Sequence, residues 1–237
     1  MAYISFDGKK STDFDLRLIN EVEHSSASKD ISQVTVSGRD GVLLIDNNRL
    51  NPVTKEFPFR ISTKSDLTKI GERLTDWLAV NGYKDLVLSW DSDFVYRAAF
   101  LETFSISEIL RQFGSVKLNF LCHPVKFYKD GRDRLTVSNG QTIQGKGNVN
   151  AKPVIIISGN GTTTITINGR QTKLKDIQGG ITLDMQTNQV YSGGLPAWDK
   201  VVRAPQYKMP YLEPKNNRIS WDGNFTVSII PNWGVKI

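Results

Sequence analysis

The first quarter of the chain alternates short apolar segments with turn-forming residues. Residues 16–19, 31–36, 42–45 and 57–61 are alternating or β-branched, and Gly, Asp, Asn and Pro separate them. Alternation places apolar side chains on one face of an extended chain, and the separating residues favour turns. The pattern therefore predicts β-strands joined by turns.

One segment has a helical period instead. Its apolar residues recur at spacings of three and four, and they are Leu67, Ile70, Leu74, Trp77 and Leu78. Ser65 is a suitable N-cap, and Asn81-Gly82 supplies residues that tolerate the left-handed conformation at a helix end. We expect an amphipathic helix that packs on a sheet through these apolar residues.

After the helix, the chain returns to the strand pattern. Residues 86–90 and 96–104 predict a hairpin, and residues 115–122 alternate as a further strand. Asp91 and Asp93 flank the predicted hairpin tip. We expect both carboxylates to be solvated rather than paired.

The second half contains closely spaced strand patterns without a helical period. Residues 130–149 are polar and rich in glycine, which predicts a linker with one short strand at 135–137. The strand patterns that follow are 153–157, 162–167, 181–184, 189–191, 218–221 and 225–230. Short turn sequences join them in pairs, so we expect hairpins, the last of which lies inside a sheet.

Proline interrupts the pattern late in the chain. Pro205, Pro210 and Pro214 punctuate residues 201–214. Proline cannot donate a backbone hydrogen bond and is excluded from central strands. This segment is therefore expected to be a long loop or an extended arm.

Charge divides the chain into two parts. Of the 237 residues, the first 130 carry 17 Lys and Arg against 18 Asp and Glu, a net charge of −1. The rest carries 13 against 6, a net charge of +7. The length and the glycine-rich junction agree with two domains. We expect domains at 1–133 and 134–237.

Catalytic and cofactor motifs are not found. Cys122 is the single cysteine, and His24 and His123 are the two histidines, too few for an ordinary zinc site. Neighbours in a strand point to opposite faces, so Cys122 and His123 cannot act as nucleophile and base, and Cys122 is expected in the core. Most acidic residues of the second half lie in apparent turns, and no phosphate-binding glycine loop precedes a helix. We expect no enzyme, no cofactor and no metal.

The sequence also lacks targeting and membrane signals. No basic start is followed by an apolar run, and no stretch approaches the roughly 18 apolar residues of a membrane helix. We expect cytoplasmic synthesis and no membrane partner.

The composition raises two alternative binding functions. A module for carbohydrate or teichoic acid would stack sugars on exposed aromatic rings and attract anionic polymer by its charge. The aromatic candidates are Trp198, Tyr207, Tyr211 and Trp221. Trp221 and Trp233 are better explained as core residues, which leaves Trp198 as the surface candidate. Specific nucleic-acid binding is not expected, because the basic residues are dispersed singly.

Several segments, taken in order, resemble one protein family. In the first half they are Gly38-Arg39-Asp40-Gly41 before Val42-Leu43-Leu44, the helix end Trp77-Leu78, Phe94-Val95-Tyr96-Arg97-Ala98, and Phe120-Leu121-Cys122-His123-Pro124. In the second half they are residues 147–159, Ile165-Thr166-Ile167-Asn168, Ile181-Thr182-Leu183-Asp184, and Pro210-Tyr211-Leu212-Glu213-Pro214. Together they resemble the distal tail protein (Dit) family of siphophages that infect Gram-positive bacteria.

This resemblance implies a fold and a function. The fold would be mainly β, with a ring-forming, β-sandwich-like domain that carries one α-helix, followed by a galectin-like (jelly-roll) β-sandwich. The protein would be a structural hub of the tail tip, located in the virion after assembly in the host cytoplasm. It would form a homohexameric ring that joins the tail tube protein to a tail-associated lysin, tail fibre or receptor-binding protein, and DNA would pass through it.

Three groups of residues receive predicted roles. A structural turn in the ring-forming domain is assigned to Gly38, Arg39, Asp40 and Gly41. Packing of the helix on its sheet is assigned to Leu67, Ile70, Leu74 and Trp77. Docking of another baseplate protein is assigned to the segment 195–214, with Trp198, Tyr207 and Tyr211 as the candidates.

Overall fold

The chain folds as two compact units. The computed structural model describes residues 2–19, 24–63, 66–110 and 112–237, so the predicted N-cap Ser65 lies outside the described residues. Unit 1 comprises Met1–Lys126 and Lys236–Ile237, and unit 2 comprises Phe127–Val235. The chain therefore passes between the units twice, whereas the sequence predicted one boundary, after residue 133.

Unit 1 is built on an antiparallel sheet. The strands are β1 (Ile4–Phe6), β2 (Lys9–Lys10), β3 (Leu16–Leu18), β4 (Lys29–Val34), β5 (Leu43–Leu50), β6 (Val53–Ser62), β7 (Lys84–Leu88), β8 (Phe94–Ala99), β9 (Ile106–Leu110), β10 (Phe113–Cys122) and β11 (Val125–Tyr128). The order in the sheet is β2-β1-β7-β8-β10-β6-β3, and β9 also pairs with β10. The predicted hairpin around residues 91–93 is confirmed, since β7 pairs with β8.

The amphipathic helix is confirmed as α1 (Leu67–Leu78). It begins after Asp66, whose side chain accepts a hydrogen bond from the Thr68 amide at 3.0 Å. The residues assigned to packing, Leu67, Ile70, Leu74 and Trp77, are all buried in the same core as the sheet. Trp77 stacks on Phe14 with ring centroids 4.5 Å apart, and its Nε1 donates to the Phe6 carbonyl at 3.0 Å. This indole fixes the helix on the sheet by packing and by one buried hydrogen bond.

Unit 2 is a sandwich of two antiparallel sheets. Its strands are β12 (Leu135–Val137), β13 (Thr142–Gln144), β14 (Val154–Ser158), β15 (Gly161–Ile167), β16 (Arg170–Ile177), β17 (Gly180–Asp184), β18 (Gln189–Ser192), β19 (Leu195–Pro196), β20 (Asn216–Trp221) and β21 (Thr226–Ile230). The last strand of the chain, β22 (Gly234–Lys236), belongs to neither of the two sheets. One sheet has the order β12-β21-β14-β17-β18-β19, and the other has the order β13-β20-β15-β16. Apolar residues from both sheets fill a shared core. The predicted fold class, mainly β with one helix and a galectin-like sandwich, is confirmed for the described residues.

Two of the predicted hairpins are wrong. β14 and β15 follow each other in sequence but lie in different sheets, and so do β20 and β21. The predicted pairing of 181–184 with 189–191 is confirmed as β17 with β18. An alternating strand can bury its apolar face in either sheet of a sandwich, so alternation alone did not distinguish a hairpin from a corner between sheets.

The predicted linker is also wrong. Residues 130–149 belong to unit 2 and contribute β12 and β13 to its two sheets. A Cβ atom at Gly145 would lie 2.3 Å from the Glu213 carbonyl oxygen, and one at Gly147 would lie 1.9 Å from the Gly234 carbonyl oxygen. These glycines permit close approach of two backbones rather than flexibility.

Eight strands of the described chain were not predicted, and β16 is the longest of them; the others are β1, β2, β9, β11, β13, β19 and β22. β16 lies at the edge of its sheet and carries Arg170, Lys173 and Lys175 among its residues. Its polar, basic composition concealed the buried alternate positions Thr172 and Leu174. Within the described ranges, no helix has the length and apolar character needed to cross a membrane.

Candidate functional site

β4 and β5 form a hairpin in unit 1, which we call the 29–50 hairpin. Among the described strands, each of the two pairs only with the other. Ion pairs join Lys29 to Asp46, with Nζ 3.0 Å from Oδ2, and Arg49 to Asp30. The hairpin therefore pairs four of its charged side chains internally. Neither of its strands pairs with a described strand of the main sheet.

The turn assigned from sequence lies at the tip of this hairpin. The Arg39 amide donates to the Val36 carbonyl at 3.2 Å. Gly38 has φ of 77° and Gly41 has φ of 79°, in the left-handed region that glycine adopts without strain. Arg39 and Asp40 are exposed between them.

Apolar side chains of the hairpin are exposed on both of its faces. Cross-strand partners share a face, so Val34 and Leu43 lie on one side together with Ile45, whereas Leu44 lies on the other. The exposed fractions are 60% for Leu44, 46% for Ile45, 46% for Val42, 42% for Val36, 41% for Val34, and 40% for both Ile31 and Leu43. Exposed apolar clusters of this kind mark interaction surfaces in soluble proteins.

A groove runs along α1 on the same unit, and we call it the α1 groove. It has a volume of about 750 Å³, and residues 100–108 form its other wall. The helix presents small side chains to it at Thr68, Gly71, Thr75 and Ala79. Leu101, opposite the helix, is 70% exposed. The small residues on the helix leave an open concave surface, and its lining combines apolar residues with Glu102 and Glu108.

The proline-rich segment is a loop that lies along β16 rather than an extended arm. The Val202 amide donates to the Lys173 carbonyl at 3.0 Å, and the Lys208 amide donates to the Gln171 carbonyl at 2.8 Å. Pro210 and Leu212 are buried. The loop is therefore an integral part of unit 2.

Each aromatic candidate for partner docking has a cation at its ring face. The distances to the ring centroids are 5.3 Å from Arg203 Cζ to Trp198, 5.8 Å from Lys173 Nζ to Tyr207, and 4.2 Å from Arg170 Cζ to Tyr211. Trp198 and Tyr207 line a cavity of about 270 Å³, and Tyr211 lines a second of about 370 Å³. Lys208 lines both cavities. The three aromatic residues thus lie on one cationic stretch of surface.

Two further tryptophans have the predicted core positions. Trp221 is 8% exposed and Trp233 is 4% exposed, and both belong to the core of unit 2. The Trp221 Nε1 donates to the Phe225 carbonyl at 3.0 Å. These two rings are unavailable for stacking on a sugar.

A partly buried polar cluster in unit 1 was missed. The Asp91 Oδ2 accepts hydrogen bonds from the Tyr96 hydroxyl at 2.5 Å and from Lys126 Nζ at 2.6 Å, so the prediction of a solvated Asp91 is wrong. Burial alone would raise the pKa of Asp91, but these hydrogen bonds and the Lys126 charge hold it below its usual value. Burial, followed by the bond to Asp91, raises the pKa of Tyr96. Asp91 and Lys126 are distant in sequence, which left no local signal for the pair.

Lys55 extends this cluster into the interior. It is 6% exposed, and its Nζ lies 5.4 Å from the centroid of the Tyr96 ring. Burial lowers the pKa of Lys55. Its position between Val53 and Phe57 on the buried face of β6 gave a sequence signal, because a lysine there interrupts an apolar alternation.

Cys122 and His123 have the separate environments expected of neighbours in a strand. Cys122 is fully buried, and burial raises the pKa of its thiol to about 12. The Val125 amide donates to His123 Nδ1 at 3.2 Å. In the part of the chain that the structure describes, no group of three His, Cys, Asp or Glu side chains could hold a metal.

Comparison with known proteins identifies relatives of both the first unit and the whole chain. Residues 5–122 match the family described as phage tail protein RIFT-related domain. The crystal structure of the Dit protein of phage SPP1, described as a paradigm of the hub adsorption apparatus in phages that infect Gram-positive bacteria, matches with a TM-score of 0.76 and 16% identity. That match covers 100% of this chain and 99% of the other. No curated protein matches the sequence.

Proposed function

Because this chain belongs to the phage tail proteins through its RIFT-related domain and has the fold of a distal tail protein, we propose that it is the ring-forming hub of a siphophage tail tip. In this proposal, a homohexameric ring joins the tail tube protein to a tail-associated lysin, tail fibre or receptor-binding protein. DNA passes through the ring, and the role is structural rather than catalytic. Assembly takes place in the host cytoplasm.

The observation that carries the proposal is the 29–50 hairpin. A two-stranded hairpin is marginally stable in water by itself, and this one exposes apolar side chains on both faces. Monomeric soluble proteins rarely expose such a surface. Coverage by other subunits of an assembly would stabilise it, which is the condition expected of a ring component.

The charge distribution supports the same role. A ring on a DNA exit path should not bind the phosphate backbone, because each phosphate neutralised by Lys or Arg adds salt-dependent affinity. The first 130 residues carry a net charge of −1, and the basic excess lies in the remainder. We therefore propose that the first domain lines the channel.

The ring is tested by measuring mass and shape. Light scattering together with negative-stain images of the purified protein should show a closed ring at high protein concentration. Leu44→Ser should lower the fraction of rings, because Leu44 is an exposed apolar residue of the hairpin. Leu195→Ser is the matched control, since Leu195 is 71% exposed but lies in unit 2. A strictly monomeric protein would overturn the proposal.

Partner docking by unit 2 is tested with point substitutions. Deletion of residues 198–211 would remove buried Val201 and Pro210, so loss of binding could reflect unfolding. Trp198→Ala, Tyr207→Ala and Tyr211→Phe should instead weaken capture of a tail-associated protein or receptor-binding protein. Undiminished capture by all three variants would reject this surface as the contact.

The cationic stretch of unit 2 favours a second candidate function, binding of a carbohydrate or teichoic-acid polymer. Guanidinium or ammonium groups already lie at the ring faces of Trp198, Tyr207 and Tyr211, which favours an anionic polymer over a neutral sugar. Titration with purified teichoic acid should give binding that weakens in salt and with Trp198→Ala. Equal binding by a neutral glycan would contradict recognition by charge.

A further inference from the structure

We propose that, in the ring, the 29–50 hairpin of one copy docks in the α1 groove of the next copy. This inference rests on the proposed function and assigns the two surfaces of its subunit contact. Both surfaces belong to unit 1, and each has apolar side chains that the described chain leaves exposed.

Ring closure requires two different surfaces on each subunit. A two-fold contact uses the same patch twice and ends at a dimer, whereas a head-to-tail contact joins one patch to another and can close into a ring. The hairpin supplies a protruding apolar element, and the α1 groove supplies a concave one. A second copy of the chain is therefore the occupant that completes both surfaces at once.

The chemistry of the hairpin agrees with this occupant. Residues 31–38 and 41–45 carry no charged side chain, and the flanking Lys29, Asp30, Asp46 and Arg49 are ion-paired within the hairpin. Insertion of residues 31–36 and 42–45 would therefore desolvate no charge of the hairpin, provided that Arg39 and Asp40 at its exposed tip stay in solvent. A nucleic acid or other polyanion would find one cationic side chain near this part, Arg39, next to the acidic Asp40.

The groove is large enough to take several side chains of a strand segment. Its volume of about 750 Å³ exceeds what a single side chain fills. Its apolar lining residues are Leu67, Leu78, Phe100, Leu101, Phe104 and Ile106, and Thr68, Thr75, Thr103, Glu102 and Glu108 line it as well. At Gly71 an added Cβ would meet Ile106 Cδ1 at 3.6 Å, so the two walls of the groove approach each other closely at this point.

Cross-linking tests the contact directly. In the double variants Leu44→Cys/Leu101→Cys and Ile45→Cys/Leu101→Cys, a short bis-maleimide should join neighbouring copies into a ladder longer than a dimer. The two hairpin positions probe opposite faces, and native Cys122 is buried and protonated. Single variants should give no ladder. Cross-links confined to dimers, or formed within one chain, would overturn the proposal.

A pair of matched substitutions tests the groove in the same assay. Thr75→Glu places a charge in the groove at an exposed helix position, and Lys69→Gln makes the same change of charge at an exposed position that does not line it. Thr75→Glu should lower the association constant by roughly tenfold or more, because the charge would be desolvated on docking. Lys69→Gln should have little effect. Circular dichroism checks that both variants remain folded.

The outcomes separate this contact from the proposed function. Rings that persist by mass and image in both double variants, yet yield no ladder, would reject the hairpin and groove as the contact while leaving the hub role intact. A protein that stays monomeric at high concentration would reject both. Equal loss of rings in Thr75→Glu and Lys69→Gln would also count against the groove.

Discussion

The thiol of Cys122 is a chemical reporter of the folded first unit. It is fully buried with a pKa raised to about 12, and thiolate is the reactive form. We expect a disulfide reagent at pH 8 to leave the native protein unmodified and to label one thiol per chain after unfolding in guanidinium. Leu195→Cys, at a position that is 71% exposed and outside the proposed ring contact, is the control and should react at once. Rapid labelling of the native wild type would contradict the burial of Cys122.

Asp91 is expected to make the first unit sensitive to acid. Because its pKa is lower in the folded state, its contribution to stability is complete above its unfolded pKa of about 3.9 and is lost as the pH falls through the folded value. Asp91→Asn should lower the unfolding free energy at pH 7 by about 1.5–3 kcal/mol, the range for hydrogen bonds to charged groups. Denaturant titrations at several pH values measure this difference, which should shrink below pH 4.

The exposed neighbour Asp93 provides the control for this substitution. Asp93→Asn, at the same hairpin tip, should change the unfolding free energy by no more than about 0.5 kcal/mol. A loss of stability as large as that of Asp91→Asn would indicate a general effect of the tip. Such a result would contradict stabilisation by the hydrogen bonds that Asp91 accepts from Tyr96 and Lys126.

At the scale of single residues, the burial of a side chain follows from the sequence more readily than its polar partner does. The apolar positions of α1 and the core places of Trp221 and Cys122 follow from periodicity and residue type. The prediction of a solvated Asp91 is wrong because its cationic partner, Lys126, is distant in the chain. Such pairs depend on how the strands are arranged, which periodicity does not specify.

The helix depends on a single large side chain for its position on the sheet. Trp77→Ala removes the stacking on Phe14 and the bond to the Phe6 carbonyl, and it should cost about 3–5 kcal/mol of unfolding free energy. Asp76→Ala, at an exposed position of α1, should cost less than about 0.5 kcal/mol. Thermal and denaturant unfolding measure both. Similar losses would show that the helix does not depend on its buried face.

Substitutions at two glycines of residues 130–149 separate the cost of close backbone packing from the cost of a left-handed backbone. Gly147 has φ of 89° and its missing Cβ would overlap the Gly234 carbonyl, whereas Gly140 has φ of 82° with open space around it. Gly140→Ala should therefore cost roughly 1–2 kcal/mol for backbone strain alone. Gly147→Ala should cost clearly more, as measured by denaturant unfolding. Equal costs would mean that residues 145–148 can move apart from residues 213–234.

Strand existence was easier to predict than strand pairing. β17 with β18 has a short turn and pairs as expected, but equally short turns carry β14 to β15 and β20 to β21 across the sandwich. For the 29–50 hairpin, the exposure of the strands could not be predicted from the sequence. Its apolar residues look like those of a buried strand, and only the structure shows that the described chain leaves them exposed.

At the scale of the whole molecule, the proposed ring should resist salt. Its contact would be apolar, and screening weakens interactions between exposed charges far more than apolar burial. We expect the ring mass from light scattering to be unchanged between roughly 0.05 and 1 M sodium chloride, where the Debye length falls to about 3 Å. Dissociation at high salt would point to a contact made by surface ion pairs instead.

The path of the chain has a consequence for dissecting the protein. Ile237 packs on the core of unit 1, its amide donates to the Pro124 carbonyl at 3.0 Å, and its carbonyl accepts from the Ala27 amide at 2.8 Å. Unit 2 is thus an insertion between two segments of unit 1. Truncation at residue 126 would discard the last piece of the first unit, whereas excision of residues 127–235 with a short bridge would keep both ends of that unit.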